Sequence, residues 1–180
     1  MKKVLLAFAL VMGFTSASHA GWMVEPYLGW ERGDLSKDAD GTLSGTAIGA
    51  RVAYTLPVLV WLGLDGMYTL TGEIDPDGGS KEDAKRTALY AVVGVDFPIL
   101  VRGWLGYGLM NEWKIDSSPS ASYKGDSMKI GVGFTGLPFL SVNFEYIKDT
   151  FDEIKAGGVT ADTDIENTSY MISVSLPWEF

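Results

Sequence analysis

The chain has 180 residues, of which 47% are hydrophobic and 21% are charged, and it contains no cysteine. This length and composition predict one folded domain and exclude both a disordered chain and a disulfide-stabilised scaffold. The formal net charge of -9 also argues against a nucleic-acid partner, because binding to nucleic acid calls for clustered lysine and arginine.

The N-terminal residues have the pattern of a secretory signal peptide. Lys2 and Lys3 precede an apolar run over residues 4–14, and small residues then lead to Ala20. This run is too short for a helix that spans a bilayer core of ~30 Å. We therefore predict that residues 1–20 are a cleaved signal peptide and that residues 21–180 form the mature domain.

Cleavage after Ala20 would remove Lys2, Lys3 and the single histidine, His19, and take the net charge from -9 to -11. A domain without histidine or cysteine has no metal site built on imidazole or thiolate, no cysteine nucleophile and no Ser-His pair. We therefore expect no catalytic residue, no metal and no cofactor. An enzyme that uses only carboxylates and serines stays open.

A short apolar segment that contains proline recurs along the chain. Pro57, Pro98, Pro138 and Pro177 are separated by 41, 40 and 39 residues. Each of the first three lies between two runs of alternating apolar and polar residues, where a tight turn accommodates proline. Longer polar stretches are predicted to be loops: residues 34–45, 72–86, 115–126 and 149–168. The pattern predicts hairpin units with short turns at one end and long loops at the other.

Eight stretches alternate apolar with polar or small side chains, as strands with two different faces do. In chain order they cover residues 22–33, 47–56, 60–68, 88–97, 101–112, 128–135, 140–146 and 170–180. The first is the weakest, because Pro26 interrupts it, and the last is the clearest. The sequence therefore predicts an all-β fold, an eight-stranded antiparallel up-and-down β-barrel.

Alternation alone does not say which face lies inside the barrel. A soluble ligand-binding barrel of the lipocalin kind would turn its apolar face inward. Here the second face is mostly Gly, Ala, Ser and Thr, which suits the narrow lumen of eight strands, and the centre of the apolar face is uncharged, as lipid contact requires. We therefore predict a transmembrane barrel. Val93→Arg or Val132→Arg should impair folding into bilayers, and Gly49→Ser should be tolerated better.

The predicted lumenal face carries acids and bases, which we expect to form a polar network: Glu25, Glu31, Arg51, Asp65, Asp96, Arg102, Glu112, Lys129 and Glu145. Glu179 is placed with them. Two interpretations are open, namely ion pairs that brace a plugged barrel, or the lining of a narrow cation-preferring pore. Eight strands usually leave no continuous channel, and we prefer the plugged barrel for that reason.

The pattern of the last strand resembles that of a known protein family. Its apolar residues, which end in an aromatic, are Tyr170, Ile172, Val174, Leu176, Trp178 and Phe180. In this the chain is similar, over residues 21–180, to the small outer-membrane β-barrels of the OmpA-like and OmpX-like kind, although Pro177 departs from the pattern. The resemblance implies a Gram-negative outer membrane, periplasmic turns and surface-exposed loops. It also implies that these six residues are read by the barrel-assembly machinery.

Most of the negative charge lies in or next to the predicted loops, because residues 34–45, 73–86, 114–126 and 148–166 together carry -8 out of -11. A non-enzymatic barrel with a structural or interaction role fits the sequence, its acidic surface loops contacting lipopolysaccharide, another surface protein or a surface ligand of unknown identity. Outer-membrane lipid would surround it. A narrow cation-preferring pore is the second hypothesis, and an outer-membrane enzyme without His or Cys is the third.

Overall fold

The computed structural model describes residues 20–37, 40–76, 80–115 and 120–180. The predicted signal peptide lies outside the described residues except for Ala20. No helix in the described ranges is long and apolar enough to cross a membrane.

The described residues form one antiparallel sheet that closes on itself. Its strands are β1 (Gly21–Lys37), β2 (Gly41–Thr55), β3 (Val60–Pro76), β4 (Glu82–Phe97), β5 (Val101–Ile115), β6 (Ala121–Leu137), β7 (Leu140–Ala156), β8 (Val159–Ser175) and the short β9 (Trp178–Glu179). Each of β1 to β7 pairs with the next strand, and β1 also pairs with β8 and β9. Because β8 and β9 are two parts of one closing strand, the predicted eight-stranded up-and-down β-barrel is confirmed.

Short connections after β2, β4 and β6 lie at one end of the barrel, which we call the turn end. They contain Pro57, Pro98 and Pro138, as the recurring proline-containing segment predicts. The first and last strands also meet here, because the amides of Trp22 and Phe180 each donate to the other residue's carbonyl, at 2.9 and 3.0 Å. We call the opposite end the hairpin end.

The prediction of four long loops at the hairpin end was wrong. β7 continues to Ala156 and β8 begins at Val159, so that Gly157 and Gly158 alone connect them. Both glycines have positive φ, 58° and 84°, which a two-residue turn requires. The other predicted loops are likewise strand over most of their described length. Polar composition suggested loops, but a strand that has left the bilayer is polar outside because water covers it.

The outward face of the barrel is an apolar band between two rows of aromatic residues. The row nearer the turn end includes Trp22, Tyr54, Phe97, Phe134 and Trp178, and the row nearer the hairpin end includes Trp30, Tyr68, Tyr107 and Tyr170. Between them Leu64, Val93 and Val132 are 49%, 40% and 47% exposed. Apolar side chains that face away from the barrel require lipid around it, so the strands cross a membrane as predicted.

One-residue bulges change which side chains face inward as β3 and β5 approach the hairpin end. In β3 the extra residue is Leu70, opposite the junction of Thr46 and Ala47. In β5 it is Leu109, after which Asn111 and Trp113 are the buried residues. Such bulges shift the alternation by one position.

Beyond the band the interior of the barrel is apolar. Leu43, Ile74, Ala84, Trp113 and Phe151 form a buried cluster there, with Trp113 and Phe151 in ring contact at 5.3 Å. The hairpin end therefore has an apolar inside and a polar outside, whereas the membrane-crossing part has an apolar outside and an inside that mixes charged and apolar side chains. This change of the outer surface from apolar to polar explains why the ends of these strands were predicted to be loops.

Candidate functional site in the lumen

The lumen within the apolar band contains a continuous group of buried ion pairs. The guanidinium of Arg51 lies 2.8 Å from Glu25, 3.0 Å from Asp65 and 3.1 Å from Glu145. The ammonium of Lys129 lies 2.6 Å from Asp65 and 3.3 Å from Glu145. All five side chains are buried, and each acid contacts at least one base, as burial of charge demands.

Arg102 extends this group toward the turn end. Its guanidinium lies 3.1 Å from Glu25 and 3.1 Å from Asp96, whose side chain is 27% exposed at the rim. Glu179 is 3.9 Å away and 60% exposed, and it lies opposite the buried Met23, so it faces inward at the open mouth of the lumen. We call Arg102 and the five residues above the central network.

Aromatic side chains pack directly against the central network. The guanidinium carbon of Arg51 lies 4.3 Å from the ring centre of Trp104 and 5.5 Å from that of Trp61. The ammonium of Lys129 lies 4.3 Å from the ring centre of Tyr90. Cations over aromatic faces are attracted to the ring, and these rings also fill space beside the ion pairs.

A second group of buried polar residues lies nearer the hairpin end and centres on Arg86. Its guanidinium lies 3.0 Å from Glu31 and 2.6 Å from Asp149. Asp149 also accepts hydrogen bonds from Asn111, Ser127 and Asn167 at 3.1, 2.6 and 2.8 Å. We call these residues the Arg86 network. A cavity of about 10 Å³ separates it from the apolar cluster, which is space for about one water molecule.

The nine residues predicted for the lumen fall into three places. Six belong to the central network, namely Glu25, Arg51, Asp65, Arg102, Lys129 and Glu145, with Asp96 beside them at the rim. Glu31 belongs to the Arg86 network. The prediction that Glu112 lies in the lumen was wrong, because the Leu109 bulge gives Asn111 and Trp113 the buried positions. It is half-buried, accepts a hydrogen bond from Ser122 at 2.8 Å and lies 3.9 Å from Lys114.

Arg86 and Asp149 were missed because both fall in stretches that were predicted to be loops. A usable signal was present for Arg86, which lies two and four residues before Ala88 and Tyr90, on the same alternation. All three are buried. The inward pattern of β4 thus continues past the point where the predicted strand began.

Outside the band, near the hairpin end, ion pairs lie on the outer surface. Lys37 contacts Asp164 at 2.7 Å and Glu166 at 3.1 Å, and Lys148 contacts Glu166 at 3.3 Å. Hydrogen bonds from Lys37 and Lys148 lower the pKa of the Glu166 carboxyl below its ordinary value. Hydrogen bonds to Asp164 and Glu166 raise the pKa of the Lys37 ammonium. These contacts tie β1, β7 and β8 together.

The six alternating residues of the closing strand all point away from the lumen. Their exposed fractions are 49% for Tyr170, 55% for Ile172, 46% for Val174, 37% for Leu176, 54% for Trp178 and 76% for Phe180. Pro177 lies in the gap between β8 and β9, where the regular pairing with β1 is interrupted, and the amide of Leu176 donates to the carbonyl of Pro26 on β1 across this gap at 3.0 Å. The strand therefore keeps its outward face despite the proline.

The chemistry of the lumen is that of buried charges with partners. The carboxylates of both networks accept hydrogen bonds from guanidinium, ammonium, amide and hydroxyl groups on several strands. Within the described ranges, no three or more acidic or histidine side chains are grouped to hold a metal ion. The geometry is that of cross-links between walls of a closed transmembrane barrel.

Solved structures with this fold are small outer-membrane barrels. The sequence matches no protein-family model, and no curated protein is similar enough to count as a relative. The Neisserial surface protein NspA is 15% identical, with a TM-score of 0.54 over 86% of this chain and 96% of that one. Ail, the attachment invasion locus protein of Yersinia pestis, in complex with the heparin analogue sucrose octasulfate, is 17% identical, with a TM-score of 0.59 over 89% and 100%.

The outer membrane protein OprG of Pseudomonas aeruginosa is 13% identical, with a TM-score of 0.51 over 89% of this chain and 96% of that one. At such identities the likeness concerns the fold. The fold of this chain is therefore that of the small outer-membrane β-barrels, which is the resemblance the closing strand suggested.

Proposed function

We propose that the protein is a non-enzymatic barrel of a Gram-negative outer membrane, with a lumen plugged by side chains and a structural or interaction role at the cell surface. The turn end then faces the periplasm and the hairpin end faces outward. Residues 1–20 are its signal peptide, so that the mature chain should begin at Gly21 by N-terminal sequencing.

The observation that carries the plugged lumen is the position of Arg51. It extends from β2 and contacts acids on β1, β3 and β7, while Lys129 on β6 reaches the same Asp65 on β3. Opposite walls are thus joined through charges, and Trp61 and Trp104 occupy space beside them. Breaking such pairs is costly, which supports a fixed partition rather than an open channel.

Conductance in planar bilayers tests this proposal. We expect no steady single-channel current from the refolded protein, and Arg51→Met should not create a defined channel because Trp104 stays in place. A steady current in the unchanged protein would contradict the plugged lumen. The measurement should follow a folding check by gel mobility, since a misfolded sample perturbs the bilayer by itself.

A narrow cation-preferring pore is the second candidate, and the acid excess of the lumen favours it. The paired lumenal groups include six acids, Glu25, Glu31, Asp65, Asp96, Glu145 and Asp149, against the four bases Arg51, Arg86, Arg102 and Lys129. A current that is cation-selective, and less so in Asp96→Asn, would establish this candidate in place of the first.

The surface role is supported by the acidity of the hairpin end. Residues 148–166, mostly β7 and β8, carry a net charge of -4. A sulfated polyanion such as the heparin analogue bound to Ail would be repelled there, so we propose a cationic surface ligand, or lipopolysaccharide phosphates bridged by divalent cations. Binding of refolded protein to lipopolysaccharide with and without a chelator separates the two.

We further propose that the outward residues of the closing strand, Tyr170 to Phe180, are read by the barrel-assembly machinery. Their side chains all face away from the lumen, where another protein can contact them. Phe180→Ser should slow assembly by the purified machinery and leave spontaneous folding into detergent nearly unchanged. Equal slowing of both reactions would show that the residue acts only on barrel stability.

A further inference from the structure

The turn end carries an apolar surface that the lumen and the lipid-facing wall do not explain. The three turns are made of the apolar segments Leu56-Pro57-Val58-Leu59, Phe97-Pro98-Ile99-Leu100 and Leu137-Pro138-Phe139-Leu140. Val58 is 67% exposed, Ile99 74%, Phe139 84% and the terminal Phe180 76%. We call these four residues the apolar collar.

The backbone conformation of the turns makes their apolar composition unusual. Leu59, Leu100 and Phe139 have φ of 63°, 62° and 64°, in the left-handed region that disfavours large side chains. Glycine or asparagine is the usual residue for such a position. A bulky apolar residue stands there in all three turns: Leu59 is half-buried, Leu100 is 55% exposed, and Phe139, which belongs to the collar, is 84% exposed.

The collar is distributed around the barrel rather than on one side. Its turns lie between β2 and β3, β4 and β5, and β6 and β7, and Phe180 lies at the seam of β9 with β1. These are the four alternate junctions of the closed sheet. A ring of apolar side chains around the barrel matches a surrounding membrane surface.

The collar is also continuous with the lipid-facing band. Phe97 ends β4 and is 48% exposed, Leu140 begins β7 and is 39% exposed, and Trp178 lies two residues before Phe180. None of the twelve turn residues is charged or polar in its side chain. The apolar surface therefore passes from wall to turns without a polar boundary, which a turn in water would show.

We infer that the apolar collar is immersed in the interfacial region of the bilayer leaflet at the turn end, where phospholipid covers it. In the topology of the proposed function this is the periplasmic leaflet, but the inference depends only on which residues lie at this end. The collar then fixes the depth of the barrel, because moving it into water would expose four large apolar side chains.

Single-cysteine labelling tests the inference, and the chain is suited to it because it contains no cysteine. Val58→Cys, Ile99→Cys and Phe139→Cys report on the collar. Val159→Cys is the matched control, since Val159 is 69% exposed beside the Gly157–Gly158 turn at the hairpin end. Each variant carries an NBD fluorophore and is reconstituted into phosphatidylcholine vesicles, after gel mobility has shown that it is folded.

Two quenchers are compared, iodide on both sides of the membrane and phosphatidylcholine brominated near the start of its acyl chains. We expect iodide to quench the collar labels at least roughly threefold less than the Val159 label, and the brominated lipid to quench them more by a similar factor. Collar labels that behave like the control would overturn the inference. Protection that disappears when the protein is diluted in lipid would also overturn it, by assigning the collar to a second copy of the chain.

Discussion

Trp104 lies across Gly131, its partner on the neighbouring strand β6, so closely that a Cβ at Gly131 would be 2.1 Å from the indole ring. Trp61 has the same relationship with Gly94 on β4, also at 2.1 Å. Large and small inward residues thus alternate around one level of the barrel. The glycines make room for the rings that pack against Arg51.

Gly131→Ala should therefore destabilise the barrel, because the added methyl group would push the indole of Trp104 away from Arg51. We expect a loss of roughly 1–3 kcal/mol in the free energy of unfolding, as overpacking of a filled interior gives. Urea unfolding in lipid vesicles, followed by Trp fluorescence, measures it. Gly66→Ala is the matched control, because no atom lies within 4 Å of a Cβ there. Equal losses in both variants would contradict the packing argument.

Arg86→Met should cost more, since it leaves two buried carboxylates, Glu31 and Asp149, without their cation. We expect a loss of roughly 3–5 kcal/mol in unfolding free energy. Lys124→Met removes an exposed lysine from the same half of the barrel and should change stability little. Adding Asp149→Asn to Arg86→Met should recover part of the loss. A double variant less stable than Arg86→Met would argue against charge compensation as the cause.

Most of the central network could be predicted because strict alternation relates every position of a strand to one face. Glu25, Arg51 and Asp65 were found in this way, and no bulge lies between them and the positions that set the alternation. Glu112 lies beyond the Leu109 bulge, and one extra residue reverses its face. A bulge is a local backbone choice that hydrophobic patterning does not reveal, so its consequences were not predictable.

The structure argues against ready tolerance of Gly49→Ser, for a related reason. A Cβ at Gly49 would lie 2.2 Å from the ring of Tyr27 and 2.5 Å from the carbonyl oxygen of Gly66. The sequence indicates that a small residue faces the lumen but not how close the neighbouring atoms approach. Close approach is a property of the whole barrel cross-section.

Val132→Arg should prevent efficient insertion into bilayers, because Val132 is an outward residue of the apolar band. A cost of roughly 2–4 kcal/mol is expected for arginine near the bilayer midplane. Val159→Arg makes the same change on the water-exposed hairpin and should fold normally. Folding is read as the faster migration of unboiled protein on a detergent gel. Normal insertion of both variants would contradict the assignment of the lipid-facing side.

The Glu166 carboxyl should titrate below the ordinary glutamate pKa, because Lys37 and Lys148 donate hydrogen bonds to its charged form. A lowered pKa means that its contribution to stability is present above the unfolded pKa and is lost as the pH falls through the folded one. Carboxyl carbon shifts in an NMR titration measure it directly. Lys37→Met should raise this pKa and Lys155→Met should leave it unchanged. No response to Lys37→Met would show that the contact is not maintained in solution.

The bulges at Leu70 and Leu109 each occur two residues beyond an outward tyrosine, Tyr68 or Tyr107, at the border of the apolar band. Each bulge shifts the alternation of inward and outward side chains by one position. The side chains before and after the bulge therefore need not follow one continuous alternation. Residues could therefore be inserted or deleted in the water-exposed half of a hairpin without turning a lipid-facing side chain into the lumen. The length of the hairpin end is thereby uncoupled from the inward and outward alternation of the membrane-crossing half.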